Sequence, residues 1–285
     1  LKIILSLVVL LASQYLLISR FTPGGIFSPE MPRAVIILFS WAFGTVLLLA
    51  FTQILLDVVT VISLLLRHPL QMAPGVRYVA ALFAMVMSAV GVNQAIRVPP
   101  VKEVTIKIDN LPREFEGYQL LQLTDLHITK VFNAAWTAAM VKKAMTLDAD
   151  LILVTGDVID GTLENRRNDV EPLRGLRAPD GVYAITGNHE YFFEQQRWTD
   201  HLATLGLQHL HNSHTLIKRG NAELAIAGLP DVSASRREAN GQNIELALEG
   251  VPVNAPVILM EHQPRNVSKN ATQKGDVQLF GYTHG

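Results

Sequence analysis

The sequence predicts an α/β domain preceded by an N-terminal helical transmembrane domain, and three observations carry that expectation. Charge is segregated along the 285 residues. The chain holds 24 Lys and Arg against 25 Asp and Glu, yet only Lys2, Arg20, Glu30, Arg33, Asp57, Arg67, Arg77 and Arg97 fall in its first hundred positions. That stretch is filled by long apolar runs, which lift the mean hydropathy to +0.25, high for a soluble enzyme. Beyond it, short apolar runs alternate with helical patterns and end in Asp, Asn or His. The first part is net positive and the remainder net negative, so two different solvents are implied. The boundaries follow: 1–97 as a membrane domain of about three spans, 98–117 as a linker and first strand, 118–285 as the α/β domain.

The first apolar run is Leu1–Ser19, ending at Arg20; the second is Ala34–Leu66, interrupted by Asp57; the third is Tyr78–Ile96. A spanning helix needs roughly 20 apolar residues, and each run meets that within a turn. One cleaved signal peptide accounts for the first run but not for three. The middle run exceeds one upright span, which leaves a tilted helix, a break near Asp57, or two re-entrant pieces. Asp57 is expected at an interface or helix end rather than as an intramembrane functional acid. Pro23, Gly24, Gly25, Pro29 and Pro32 mark the first loop, and Pro69, Pro74 and Gly75 the second. Lys2, Arg67 and Arg77 fall on one side of a three-helix arrangement and Arg20, Arg33 and Arg97 on the other, a tie under the positive-inside rule.

After Val98-Pro99-Pro100, the runs Tyr118–Leu123, Leu151–Val154, Val182–Ile185, Leu224–Ala227, Val257–Met260 and Val277–Phe280 suit strands buried on both faces. Ala134–Leu147 and Glu194–Leu205 read as helices between them. The absence of cysteine excludes disulfides, zinc–thiolate sites and a Cys nucleophile. No polybasic tract is present, so nucleic acid is not an expected partner.

Five strand-like runs lead into clusters of metal-type side chains: Asp125-Leu126-His127, Gly156-Asp157-Val158-Ile159-Asp160, Gly187-Asn188-His189-Glu190, Glu261-His262 and Gly281-Tyr282-Thr283-His284-Gly285. Catalytic groups gather at the carboxyl ends of strands in α/β sheets. A set of Asp, His and Asn without sulfur suits first-row divalent metals such as Mn, Fe or Zn. Singly, each cluster reads equally well as a turn or a cap; their ordered occurrence points to a metal site. The remaining histidines, His201, His209, His211 and His214, follow no ligand pattern. Arg166-Arg167 and Arg236-Arg237 read as solvated surface pairs, and Tyr191, Phe192, Phe193 and Trp198 as core aromatics before cleft walls.

The order DxH, GDxxD, GNHE, a lone His and GxTHG resembles the calcineurin-like metallophosphoesterase superfamily, and within it the membrane-associated YkuE- and YaeI-like branch. The resemblance covers about residues 101–285. It implies a four-layer α/β/β/α sandwich, two divalent metal ions, and hydrolysis of a phosphomonoester or phosphodiester by attack of metal-bound hydroxide. Carried over by motif, Asp125, His127 and His284 hold the first metal, Asp157 bridges both, and Asn188 and His262 hold the second. His189 contacts the phosphate and protonates the leaving oxygen, with Asp160 orienting it; Glu190 supports the loop.

One position departs from the pattern. Tyr282 stands where the family has a His on the second metal, and a phenol of pKa about 10 is a poor ligand near neutral pH. A weak second site and reduced activity are implied. The family usually continues past the point where this chain stops at Gly285, which implies a C-terminal truncation. A bilayer-tethered domain favours a lipid-linked or envelope phosphate ester with membrane lipids as neighbours, and relatives suggest the extracytoplasmic face. The alternative from another class is a degenerate domain acting as a membrane-tethered binding or sensor module.

Overall fold

The computed structural model describes residues 2–22, 25–26, 28–68, 70, 73–236, 241–268 and 275–283. It comprises two compact units, Leu1–Arg97 and Val98–Gly285. In the first unit the leading apolar run forms two pieces, α1 (Lys2–Ser13) and α2 (Tyr15–Arg20), rather than one span-length helix. At the break, Gln14 N donates to Leu11 O, and Ser13 Oγ, which donates to the Leu10 carbonyl, accepts from Gln14 Nε2. The middle run is one unbroken helix, α3 (Arg33–Leu65), and the last is α4 (Pro74–Ala95).

Among the described residues, α3 and the Gly75–Ala95 part of α4 are long and apolar enough to cross a membrane. At 1.5 Å per residue α3 is about 50 Å long, more than a hydrocarbon core of roughly 30 Å requires of an upright helix. Asp57 lies within α3, two turns before its end, and accepts a hydrogen bond from Gln53 Nε2 at 2.7 Å. Helices α3 and α4 meet through small and polar residues. A Cβ at Gly44 would overlap Ser88, whose hydroxyl donates to the Trp41 carbonyl, while Trp41 Nε1 donates to the Met85 carbonyl. Most large apolar side chains of this unit face outward, for example Phe51, Leu55, Leu82 and Phe83.

Among the described residues the second unit holds two four-stranded sheets. In one, β1 (Leu120–Leu123), β2 (Leu151–Thr155), β3 (Val182–Ile185) and β4 (Gln208–His209) run parallel in that order. In the other, β5 (Ser213–Arg219), β6 (Ala222–Gly228), β7 (Val257–Met260) and β8 (Val277–Leu279) are also adjacent in sequence order. Among the described strands only the β5–β6 hairpin is antiparallel; β6, β7 and β8 are parallel.

Side-chain alternation along these strands builds the layers. Leu151 and Leu153 of β2 join Leu224 and Ile226 of β6 and Ile258 and Met260 of β7 in a core between the sheets. Their neighbours Ile152 and Val154 face the opposite way, into a core with α5 (Ala134–Ala144), α6 (Leu163–Val170) and α8 (Gln195–Thr204). Ala225, Ala227, Val257 and Leu259 pack beneath α9 (Ile244–Leu248). The result is a four-layer α/β/β/α sandwich. Strands buried on both faces explain why their sequences are apolar runs rather than alternating patterns.

The entry ends of the strands are tied together. Arg219, closing β5, reaches Asp150 before β2 at 2.7 Å and Asp180 before β3 at 3.2 Å, and its guanidinium lies 4.7 Å from the centre of the Tyr118 ring. Both sheets are thereby registered at the end opposite the polar strand–loop junctions.

His209 of β4 gives this fold a pH signature. Burial is the main cause holding its pKa down at about 4, against an ordinary 6.5. A depressed folded pKa means that the unfolded chain takes up the proton first. The stability is fully present above pH 6.5, drains as the pH falls, and is gone below about 4. The full effect is at most about 3 kcal/mol. His209→Gln is expected to lose less stability than the parent protein between pH 7 and pH 4.5. Thermal unfolding at the two pH values reads the difference, and equal losses would refute it.

Candidate metal centre

The site lies where the parallel strands of both sheets run out. After β1 come Thr124, Asp125 and His127; after β2, Gly156, Asp157 and Asp160; after β3, Gly187 and α7 (Asn188–Phe192); after β7, His262; and after β8, Gly281 and Tyr282. Loop pairing extends the β1–β2 ladder into the site, with Asp125 N donating to Gly156 O and His127 N to Asp157 O. This requires left-handed backbone at Asp125, His127 and Asp157, with φ of 51°, 41° and 52°. Such conformations are unfavourable for residues with a Cβ and cluster at functional sites.

Asp157 is the hub. Its Oδ2 lies 3.2 Å from His262 Nε2, 3.7 Å from His127 Nε2 and 4.0 Å from His189 Nε2. Its Oδ1 accepts from the His189 backbone N–H at 2.8 Å. Two groups have ligand atoms within 4.8 Å of one another, Asp125–Asp157–His262 and His127–Asp157–His189, and Asp157 is common to both. His127 Nε2 also approaches Asp125 Oδ1 at 4.0 Å. Asp157 itself is 2 % exposed and His262 0 %.

Two buried atoms argue that the cluster is built for a cation. His262 Nδ1 lies 2.8 Å from the Thr155 carbonyl, which can only accept, so Nδ1 carries a hydrogen. Nε2 then faces Asp157 Oδ2 at 3.2 Å, so a proton or a cation must sit between the two. Asn188 Oδ1 is buried without a hydrogen-bond partner. Buried polar atoms without partners are costly. A divalent cation would satisfy both, and imidazole, carboxylate and amide oxygen are suitable donors for Mn, Fe or Zn. Burial works against charging His262, yet the Asp157 carboxylate lifts its pKa to about 9. The pocket is strongly cation-attracting.

The surrounding groups fix these side chains. Asp160 spans two rings, with Oδ2 3.1 Å from His127 Nδ1 and Oδ1 hydrogen-bonded to His189 Nδ1. Asp160, expected to orient His189 alone, holds His127 as well. Burial opposes ionisation of Asp160, but its bonds to His127 and then His189 leave its pKa below the usual carboxylate value. Glu190, 1 % exposed, accepts from the backbone N–H groups of Gly187, Asp157 and Val158 at 2.7, 3.0 and 2.8 Å. Burial, followed by repulsion from Asp157, raises its pKa. Gly187 is required because a Cβ there would overlap Asp157, and one at Gly281 would stand 2.8 Å from His262 Nδ1.

Tyr282 is exposed at the rim, its ring edge-on to His262 at 5.8 Å and its backbone N–H bonded to Asp125 Oδ1. His284 lies outside the described residues. Arg166, expected as a surface residue, is fully buried. Its Nε donates to the Asp160 carbonyl at 3.1 Å and its Nη1 pairs with Asp169. Nothing in the local sequence signals this, because between Leu163 and Val170 the helix LENRRNDV is wholly polar.

Comparison with known proteins agrees with the geometry. A Danio rerio protein described as a transmembrane protein with metallophosphoesterase domain is 30% identical over 213 residues, 72% of this chain and 49% of its own length. An uncharacterized metallophosphoesterase of Helicobacter pylori is 28% identical, covering 68% of this chain and 51% of its own. The Bacillus subtilis uncharacterized metallophosphoesterase YkuE is 28% identical over 64% of each. The chain thus spans about half the length of the first two of these relatives. The sequence model for calcineurin-like phosphoesterases matches residues 118–284, from the start of β1 through every motif of the cluster, and the chain belongs to that family.

Proposed function

We propose that this protein is a membrane-anchored, metal-dependent phosphoesterase that hydrolyses a phosphomonoester or phosphodiester, with lipid-linked and envelope-derived esters as the favoured class. The observation that carries the reading is Asp157, one buried carboxylate around which ligand atoms of Asp125, His127, His189 and His262 gather, although this gathering sets Asp125 with His262 and His127 with His189 rather than in the pairs that the family pattern implies. Asp125, His127, Asp157 and His284 would hold one ion, and Asp157, Asn188 and His262 a second. When bound, two divalent ions supply Lewis acidity, making water a nucleophile near neutral pH and offsetting charge on the phosphoryl group.

The protein groups do the rest. Asp160 anchors His189 through Nδ1, so Nε2 is the atom that delivers a proton to the leaving oxygen. The same carboxylate holds His127 Nδ1, turning its Nε2 toward Asp125 and Asp157. Glu190 clamps the turn that carries Asp157 to the turn that carries His189. Two apolar helices of span length, with large side chains facing outward, support multi-pass anchoring. The extracytoplasmic side is our reading of its orientation, and protease accessibility in spheroplasts tests it.

The test of activity is manganese-supplemented hydrolysis of a bis-aryl phosphodiester by the purified full chain. Turnover is expected, with loss on chelation and recovery on adding metal back. Tyr282 is the feature that favours the alternative of a non-catalytic binding or sensor module. Tyr282→His restores an imidazole beside His262 and is expected to tighten the second ion about tenfold or more and to raise kcat. Metal titration and turnover of both proteins read this out. No turnover in either protein would favour the module.

A further inference from the structure

The aromatic residues that follow His189 divide into two uses. Tyr191 and Trp198 are 2 % and 0 % exposed, and Phe193 packs against the helix-side core. Phe192 instead is 52 % exposed, and its ring meets His189 edge-on at 5.3 Å between centroids. Tyr282, 46 % exposed, meets His262 edge-on at 5.8 Å. Among the described aromatic side chains from Val98 onward, these two alone are exposed. Each touches a histidine of the Asp157 cluster. Singly exposed apolar residues are ordinary on a protein surface. Phe192 meets His189 as its i, i+3 neighbour on α7, and Tyr282 meets His262 from another loop, so two exposed rings border one polar cluster.

We infer that Phe192 and Tyr282 are apolar walls for the organic part of the phosphate ester, which makes the substrate class an ester with an aryl or alkyl group directly beyond the ester oxygen. The inference rests on the phosphoesterase reading. His189 serves the leaving oxygen, so the first carbons attached to that oxygen lie beside the ring that touches His189. Phe192 therefore faces the leaving group. Tyr282, against His262, lines the exposed rim of the same cluster. A flat apolar ring favours a carbon chain or an arene and offers a polyol nothing for its hydroxyl groups.

The experiment uses the full chain in lipid nanodiscs with manganese and compares phenyl phosphate, hexyl phosphate and glycerol 2-phosphate. Both kcat/KM and the calorimetric Kd are measured. The wild type is expected to prefer phenyl or hexyl phosphate over glycerol 2-phosphate by at least about tenfold. Phe192→Ala is expected to shrink that ratio about tenfold, and Phe192→Leu to keep most of it. Because phenol is the better leaving group, Kd and not kcat/KM decides between the two: tighter binding of phenyl phosphate marks an aryl ester, and tighter binding of hexyl phosphate an alkyl, lipid-type ester. A protein that binds with this preference but turns nothing over overturns the hydrolase and retains the apolar walls. Equal treatment of the three esters by the wild type, or an unchanged ratio in Phe192→Ala, overturns the inference while leaving the hydrolase standing.

Discussion

Asp157→Asn is expected to abolish metal retention and to lower kcat by on the order of 10⁴-fold, equivalent to about 5 kcal/mol of transition-state stabilisation. The side chain keeps its shape, and its remaining oxygen can still accept from the His189 backbone N–H. What disappears is the charge that both ligand groups share. Three imidazoles currently approach Oδ2 within 4.0 Å. An amide nitrogen in that place repels both protons and metals. The metal-free fold is expected to lose stability near neutral pH, because the Asp157 carboxylate is what lifts the His262 pKa to about 9, and its own pKa is held below the ordinary value, against burial, by His262. Relief of the repulsion that Asp157 exerts on buried Glu190 offsets part of that loss. Thermal unfolding with and without manganese, elemental analysis and turnover read the three consequences. A variant that retains two ions per chain and a kcat within tenfold of the parent would remove Asp157 from the centre of the site.

The contrast between what the sequence disclosed and what it did not has a physical basis. Strands β2, β3 and β7 are buried on both faces, so each is an unbroken apolar run and its limits are nearly readable. Strand β5, SHTLIKR, is only partly buried along most of its length and pairs on its own as a hairpin with β6. Its mixed composition therefore resembles a loop. Helix α6 is equally opaque, because Arg166 enters the interior through hydrogen bonds to Asp160 and Asp169 rather than through apolarity. The first apolar run meets the compositional requirement for a span, yet it is divided at Gln14 into helices of 12 and 6 residues.

In the site, residue types and their order were legible, since each motif is local. The joining of Gln122 to Phe280, 158 positions apart, was not. Nor was the sharing of Asp160 between two histidines, which depends on the loops after β1, β2 and β3 converging. The separation of Phe192 from Tyr191 and Phe193 is a matter of helix phase over five residues, too short for periodicity to settle.

The second large effect is expected at Asp160, and it distinguishes a shared positioning carboxylate from an isolated acid. Its two oxygens are each occupied by a different imidazole Nδ1. In Asp160→Asn only one oxygen can accept, and the amide group donates at the other place. The histidine facing that amide must then accept at Nδ1 and carry its hydrogen on Nε2. For His127 this blocks a metal-ligand position; for His189 it removes the counter-ion that stabilises the protonated ring. Loss of an outer-shell partner costs 10–100-fold in metal affinity, and loss of a positioned acid about 10²–10⁴-fold in rate. A fall in kcat of roughly 10³-fold with metal affinity reduced about tenfold is therefore expected, a smaller metal defect than Asp157→Asn produces. The pH profile carries the discriminating signal. Burial opposes charging His127, but Asp160 leads the groups that raise its pKa. A raised histidine pKa stabilises the protonated, metal-free form below pH 6.5, and that contribution disappears as the pH climbs through the raised value. In Asp160→Asn the window narrows, so metal should bind at lower pH relative to its own maximum than in the parent. Metal titration from pH 5.5 to 8.5 measures this displacement. An unshifted midpoint, or a variant that loses rate with no change in metal affinity, would confine Asp160 to His189 alone.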